Sequence, residues 1–355
     1  MKVIEVGHGH GSYPVYVGQG LLGPASVAQR HLKGRILTVT DDRVAELYLD
    51  ALRPALTDQP YHQSLVLPHG EEHKTVASWQ RIIDALVELG AQRDATLLAL
   101  GGGVIGDMAG FAAASYMRGI RVVQVPTTLL AQVDASVGGK TGVNHSRGKN
   151  LIGAFHAPAA VIADTDTLTS LDSRDYRAGL AEVVKYGAIR DPDFFAWLEA
   201  HADALNERQS DTLIEAVYQS VRNKAEVVAA DEREAGQRAL LNFGHTFGHA
   251  LETATAYREY RHGEAVAIGM VLAARLSERL GMCETGTAQR MVGLLEKLQL
   301  PVALPEHIDP RQLLALMRLD KKNMAEQIRL ILLDGIGQAR ILPCPATDII
   351  KVMQA

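Results

Sequence analysis

The stretch Ala95-Thr-Leu-Leu-Ala-Leu-Gly-Gly-Gly-Val-Ile-Gly-Asp107 constrains the fold more than any other part of the chain. An aliphatic run ends at Leu100, passes into Gly101-Gly-Gly-Val-Ile-Gly106, and gives way to a helical pattern from Val104 to Met117. A short apolar strand that runs straight into a helix is the repeating step of an α/β sheet with parallel strands. The glycines fit G-x-G-x-x-G in the context where that spacing carries meaning, between a strand and a helix. There they let the backbone approach a pyrophosphate, while the helix N-terminus offers free N–H groups. A plain strand-to-helix turn would leave the same pattern. Asp107 would compete for those N–H groups unless it bonds something else.

The same alternation continues on both sides. Arg35 to Thr40, Arg121 to Val125 and Ala159 to Ala163 read as buried strands, and Ser78 to Leu89 as a helix. The opening Met-Lys-Val-Ile-Glu-Val reads as a strand and not as a signal peptide. From about Ala178 to Leu300 the helical period takes over, as in Asp211 to Ala230 and Gly263 to Leu280. Ile328 to Leu333 and Gln338 to Leu342 read as a late hairpin around Asp334-Gly-Ile-Gly337. The expected architecture is α/β: a Rossmann-like parallel-sheet domain over residues 1–170 and a mostly α-helical domain over 171–355.

Bulk properties exclude several function classes. A net charge of -5 argues against a general nucleic-acid binder. No apolar run approaches the ~20 residues that span a bilayer. Two cysteines, Cys283 and Cys344, cannot form a disulfide framework. The expectation is a cytoplasmic protein with a small-molecule substrate.

Two further glycine motifs show how little such patterns say alone. Gly18-Gln-Gly-Leu-Leu-Gly23 also fits G-x-G-x-x-G and is expected to form a tight turn. Val137-Gly-Gly-Lys-Thr141 imitates a P-loop, but Asp134 stands where the first glycine belongs. Asp41 and Asp42 end a strand where an acidic residue can bind ribose hydroxyls; a turn or cap aspartate is the equal alternative.

The later half carries metal-ligand chemistry. His245 and His249 are four apart and share a helix face; His262 can close the site, and Glu182 is a plausible carboxylate ligand. Such histidines also serve as caps, but a cluster beside glycines favours a metal. Lys140 and Lys149-Asn150 lie in a Gly-rich stretch, Val137 to Gly153, that reads as a loop for phosphate or carboxylate capture.

Taken in order, several segments resemble the successive signatures of the 3-dehydroquinate synthase family of sugar phosphate cyclases. They are Gly101 to Asp107, Tyr116-Met-Arg-Gly119, Val125-Pro-Thr-Thr-Leu-Leu130, Val133 to Thr141, Gly148 to Ala154, Asn242 to His249 and His262-Gly-Glu-Ala-Val-Ala267. The resemblance spans about Pro68 to Gly337. It implies a Rossmann-like domain, a helical domain, an active site in the cleft between them, and a homodimer. It implies NAD and zinc as cofactors, with cobalt as a substitute. The metal ligands become Glu182, His245 and His262, so that His249 faces the substrate phosphate instead. Cofactor positions are Glu71, Lys74, Gly102, Gly103, Val104, Asp107, Thr127, Thr128, Lys140, Lys149, Thr167, Leu168 and Ser170, to which the strand-end reading adds Asp41. Substrate phosphate contacts are Lys149, Asn150, His249, Lys321 or Lys322, and Arg118 from across the dimer. Lys224 and Arg238 match carboxylate contacts. Asp134, Lys185, Glu234 and Asn242 match residues around the reacting hydroxyls, with Lys140 and His249 joining the catalytic group. One departure stands out: Ser170-Leu-Asp172 replaces the usual Thr-Leu-Pro, which keeps the hydroxyl but loses the proline.

The implied reaction turns 3-deoxy-D-arabino-heptulosonate 7-phosphate into 3-dehydroquinate and phosphate, with NAD oxidising and re-reducing one carbon. The alternatives are a sister cyclase whose sugar phosphate lacks the carboxylate, or a metal- and NAD-dependent polyol dehydrogenase. Arg238 and Lys224 separate the first from the implied reaction; the phosphate-binding set separates the second.

Overall fold

The computed structural model describes residues 1–9, 11–23, 27–57, 59, 61–232, 236–319 and 327–354. The described residues fall into two units: Met1–Leu171 with Leu213–Glu232, and Asp172–Thr212 with Arg233–Ala355.

The first unit is built on a seven-stranded sheet. Its strands are β1 (Lys2–His8), β2 (Gly11–Gly18), β3 (Ile36–Asp41), β4 (His62–Leu67), β5 (Thr96–Gly101), β6 (Arg121–Pro126) and, beyond a hairpin of β7 (Lys140–His145) and β8 (Gly148–Phe155), β9 (Ala160–Asp164). The order across the sheet is β1-β2-β9-β6-β5-β3-β4. Only β1 and β2 pair antiparallel; the other pairings are parallel. The helices before residue 171 are α1 (Asp42–Val44), α2 (Asp50–Leu56), α3 (Val76–Glu88) and α4 (Gly103–Ser115).

Strand β5 shows why the aliphatic runs became central strands. Successive side chains point to opposite faces. Leu97 and Ala99 enter one core with Ile82, Leu86, Met108 and Ala112. Leu98 and Leu100 enter another with Leu52, Ala55, Val123 and Val125. Both faces are buried, so no polar alternation survives. Each such Leu or Val contributes roughly 1.5–3 kcal/mol by leaving water.

Helix α4 stops at Ser115, short of the expected Met117. Tyr116–Arg118 is a tighter turn in which Met117 and Arg118 are left-handed, with φ of 51° and 64°. The expected loop over Val137 to Gly153 is corrected as well. It contains the antiparallel β7–β8 hairpin, with Thr141 opposite Ala154 and Gly142 opposite Gly153. Its glycines serve close strand approach: a Cβ on Gly153 would sit 2.1 Å from the carbonyl oxygen of Thr141. Gly18 to Gly23 forms the expected turn, with Gly23 N donating to Gly20 O at 3.4 Å.

The second unit is helical: α5 (Ser173–Arg190), α6 (Pro192–Asn206), α8 (His245–Ala254), α9 (His262–Arg279), α10 (Thr287–Lys297), α11 (Pro310–Leu319) and α12 (Ala346–Met353), with a hairpin of β10 (Gln327–Gly335) and β11 (Gln338–Pro345). Between α6 and α8 lies α7 (Ser210–Ala230). Most of α7 belongs to the first unit, although its helical period had grouped it with the helical half. Helix α9 is the axis of the second unit. It is buried nearly all round from Ala265 to Ala274 and packs against α5, α8 and α10. Asp172 caps α5 by accepting from Arg174 N at 2.8 Å. No helix among the described residues is long and apolar enough to cross a membrane.

Candidate active site

In the first unit β5 delivers Gly101 to the start of α4, whose cap residue Gly102 has no side chain to bond the helix amides. The first N–H groups of a helix have no intrahelical acceptor. The amides of Gly103 and Val104 at this end are therefore not capped by a side chain, a geometry that suits an anion. Asp107 does not compete for them. Its carboxylate is 2.5 Å from Lys74 Nζ, which also donates to Asn150 Oδ1 at 2.6 Å. Lys74 is only 4% exposed, so a buried charge is matched by a partner. Burial raises the pKa of Asp107, against the pull of Lys74.

Around this end the structure gathers most of the expected cofactor residues. Thr127 donates its backbone N–H to Gly101 O at 3.0 Å, and its buried hydroxyl has no partner. An orphaned buried hydroxyl costs free energy unless a ligand satisfies it. Thr128 Oγ1 accepts from Ala131 N. Thr167 and Leu168 are buried in the turn after β9, and Ser170 Oγ meets the Tyr48 hydroxyl. Glu71 accepts from Asn144 Nδ2 at 2.8 Å, and Asn144 Oδ1 accepts from Asn150 N at 2.9 Å. Asp41 caps α1 through Val44 N at 2.9 Å, the alternative reading of its position. Lys140 and Lys149 are exposed on the hairpin. Sequence reasoning missed Asn144, and it missed Gln132. The buried Gln132 amide donates to Pro126 O, Asp164 O and Thr167 Oγ1, tying the end of β6 to the turn after β9.

Two residues given separate roles meet in the same unit. Lys224 Nζ lies 2.7 Å from Asp134 Oδ1, and Lys224 is 5% exposed.

In the second unit three helices converge on one point. Glu182 and Lys185 are one turn apart on α5, both 1% exposed in the side chain, and form a close ion pair through Glu182 Oε2. The other oxygen, Glu182 Oε1, is buried without a hydrogen-bond partner. It lies 3.7 Å from His245 Nε2 at the start of α8 and 3.8 Å from His262 Nε2 at the start of α9. Ligands held about 2.1 Å from a tetrahedral zinc are themselves about 3.4 Å apart. The observed gaps match that edge to within a few tenths of an ångström, and a metal would satisfy the orphaned oxygen. The back of each ring is fixed: His245 Nδ1 is 3.1 Å from Phe243 O, and His262 Nδ1 is 3.3 Å from Glu252 Oε2. Burial, then Lys185, lowers the pKa of His245 well below 6.5, so it is neutral and able to ligate. Burial also acts to lower that of His262, but the Glu252 hydrogen bond and the Glu252 and Glu182 carboxylates outweigh it and raise the value.

His249 is exposed, and its ring nitrogen comes within 4.8 Å of those of His245 and His262. The helix-face pairing of His245 with His249 is therefore real, but the unpartnered carboxylate oxygen favours Glu182, His245 and His262 as the ligands. Close helix packing brings them together. A Cβ on Gly263, next to His262, would lie 1.8 Å from the carbonyl oxygen of Ala178 on α5. Arg238 is 2% exposed and Asn242 ends the same short turn before α8. Arg118 is exposed in the left-handed turn after α4. Glu234, Lys321 and Lys322 lie outside the described residues.

Residues 64–178 match the family model of the 3-dehydroquinate synthase N-terminal region, and residues 179–323 match that of the C-terminal region. The chain belongs to the 3-dehydroquinate synthase family. The 3-dehydroquinate synthase of Halorhodospira halophila is 56% identical over 339 residues, covering 96% of this chain and 95% of the relative. That of Nitrosococcus oceani is 53% identical over 352 residues, covering 99% and 98%. Among solved structures, a 2-deoxy-scyllo-inosose synthase complexed with carbaglucose-6-phosphate, NAD+ and Co2+ superimposes with a TM-score of 0.91 at 27% identity, covering 99% of both chains. A 2-epi-5-epi-valiolone synthase from Streptomyces hygroscopicus with NAD+ and Zn2+ bound gives 0.89 at 31% identity, covering 98% of this chain and 97% of that one. A probable glycerol dehydrogenase from Sinorhizobium meliloti, at 16% identity and a TM-score of 0.61, shares the fold.

Proposed function

We propose that this chain is a 3-dehydroquinate synthase, converting 3-deoxy-D-arabino-heptulosonate 7-phosphate into 3-dehydroquinate and inorganic phosphate, with NAD and a divalent metal as cofactors. The observation that carries the reading is identity over nearly the whole chain: 56% to a 3-dehydroquinate synthase, against 27% and 31% to the two sister cyclases. The polyol dehydrogenase alternative rests on fold alone.

The sheet unit is assigned to NAD and the helical unit to metal and substrate. The free amides of Gly103 and Val104 and the unpartnered Thr127 hydroxyl suit a dinucleotide. Glu182, His245 and His262 would hold the metal, with Lys185 fixing the second oxygen of Glu182. When bound, the metal supplies Lewis acidity to a hydroxyl and NAD takes up and returns one hydride. Removing that hydride leaves a ketone that acidifies the neighbouring C–H, so phosphate can depart. The substrate's own phosphate is assigned as the base for that proton. Return of the hydride, ring opening and aldol closure complete the carbocycle with no net redox change.

The remaining roles follow the charge of the substrate. Lys224 and Arg238 are assigned to the carboxylate, and Lys149, Asn150 and His249 to the phosphate, so that both ends are clamped while the middle reacts. Asp134, Lys185 and Asn242 are assigned to the hydroxyls. Homodimer assembly, with Arg118 reaching across, and a cytoplasmic location are part of the same proposal.

The test is phosphate release from 3-deoxy-D-arabino-heptulosonate 7-phosphate with catalytic NAD+ and zinc, with NADH absorbance followed at the same time. Many turnovers without NADH build-up are expected. Turnover of only a carboxylate-free sugar phosphate would move the function to a sister cyclase.

A further inference from the structure

We propose that Glu252 is the positioning residue of the metal centre, holding His262 in the one tautomer and orientation that can ligate. The inference rests on the metal reading above and adds a residue that no motif singled out. Glu252 sits on α8, seven residues after His245 and three after His249, so all three share the helix face turned to α9. It is 5% exposed. A carboxylate that far from water needs a hydrogen-bonded partner. One partner is His262, whose Nδ1 lies 3.3 Å from Glu252 Oε2.

The consequence is chemical. A neutral imidazole carries one N–H and one lone pair. If Nδ1–H donates to Glu252, the lone pair resides on Nε2, the atom 3.8 Å from the unpartnered Oε1 of Glu182. Rotating or flipping the ring would break that bond and leave a buried carboxylate short of a partner. His245 gains the same control from the carbonyl of Phe243. The partners differ in charge: the ring of His245 is backed by a neutral carbonyl and that of His262 by a carboxylate. That charge makes its Nε2 the more basic donor and adds attraction for a divalent cation beyond that of Glu182. Such outer carboxylates typically change metal affinity 10–100-fold.

The experiment uses full-length protein stripped of metal, with zinc affinity read by competition against a chromogenic chelator. NAD affinity and thermal unfolding of the metal-free protein are measured in parallel. Glu252→Ala is expected to weaken zinc about 10–100-fold, with NAD affinity unchanged and metal-free unfolding not lowered. Glu252→Gln keeps an acceptor but loses the charge, so an intermediate loss is expected. Should the alanine variant fail to fold, the isosteric glutamine variant decides by the same readouts. Wild-type zinc affinity in the folded variants overturns the proposal. So does a loss of zinc that merely parallels a loss of metal-free stability and NAD affinity, because that is a scaffold role. His262→Ala serves as the control. If wild-type protein itself fails to bind zinc, the metal reading falls first. If wild type binds, His262→Ala does not, and Glu252→Ala binds as wild type, only the positioning role is lost.

Discussion

Gly263→Ala adds one methyl group at the contact between α9 and α5, the helices that carry the proposed ligands His262 and Glu182. The added carbon would lie 1.8 Å from Ala178 O and 2.5 Å from Ala178 C, both backbone atoms that no rotamer change can move. Ordinary carbon contacts lie at roughly 3.5 Å. The start of α9 must therefore separate from α5 by an ångström or more. Two effects oppose each other. Alanine is favoured over glycine inside a helix by roughly 0.5–1 kcal/mol. Overpacking a buried contact costs about 1–3 kcal/mol. The clash wins, so the metal-free protein should lose on the order of 1–2 kcal/mol. The larger effect falls on the metal. His262 is on α9 and Glu182 on α5, and a metal tolerates ligand distances only within about 0.2 Å. Displacement near 1 Å can cost about 100-fold in a positioned reaction. Zinc affinity by chelator competition, thermal unfolding without metal, and phosphate release together form the assay. A variant with wild-type zinc affinity and raised stability would show that helix propensity prevails. It would refute the claim that this contact sets the ligand distance.

Two other outcomes test different parts of the reading. Arg238→Ala removes a buried guanidinium, and loss of one partner of a buried charge pair costs about 2–5 kcal/mol. The specificity constant for the carboxylate substrate should fall at least 30-fold, with Arg238→Lys recovering part of it; an unchanged constant would remove the argument for an acid substrate. Burial, then Asp348, pushes the Cys344 thiol up to about 11, and burial raises that of Cys283. A raised thiol pKa lowers the thiolate fraction at any given pH. Native protein should therefore react slowly with a disulfide reagent at pH 8, faster as pH rises, and yield both thiols on unfolding. Rapid reaction of Cys344 in the native state at pH 8 would contradict its burial.

How much could be read from sequence depended on whether local pattern or distant contact decided each feature. Central strands such as β5 were legible because both faces are buried, which forces an uninterrupted aliphatic run. The β7–β8 hairpin was not. Strand β8 is largely solvent-exposed and carries Lys149, Asn150 and two glycines, so its composition resembles a loop. Its glycines make sense only once the opposing strand is known. The helix α7 was legible from its period, yet a period reports which face is apolar and not which body covers it. At the site, spacing alone showed His245 and His249, and only the family resemblance pointed to Glu182, His245 and His262 as ligands. What supports that set in the structure is one carboxylate oxygen of Glu182, on α5 far back in the chain, left without a hydrogen-bond partner. Gln132, Asn144 and Glu252 carried no signal at all, because a lone amide or carboxylate on a helix or strand looks like surface until its partner is seen. They have a common character: each hydrogen-bonds a residue to which a binding role is assigned, and none is needed to recognise the motif. Residues that bind ligands tend to form motifs because the ligand fixes their spacing. Residues that brace them answer only to the surrounding fold, so they are found in the structure or not at all.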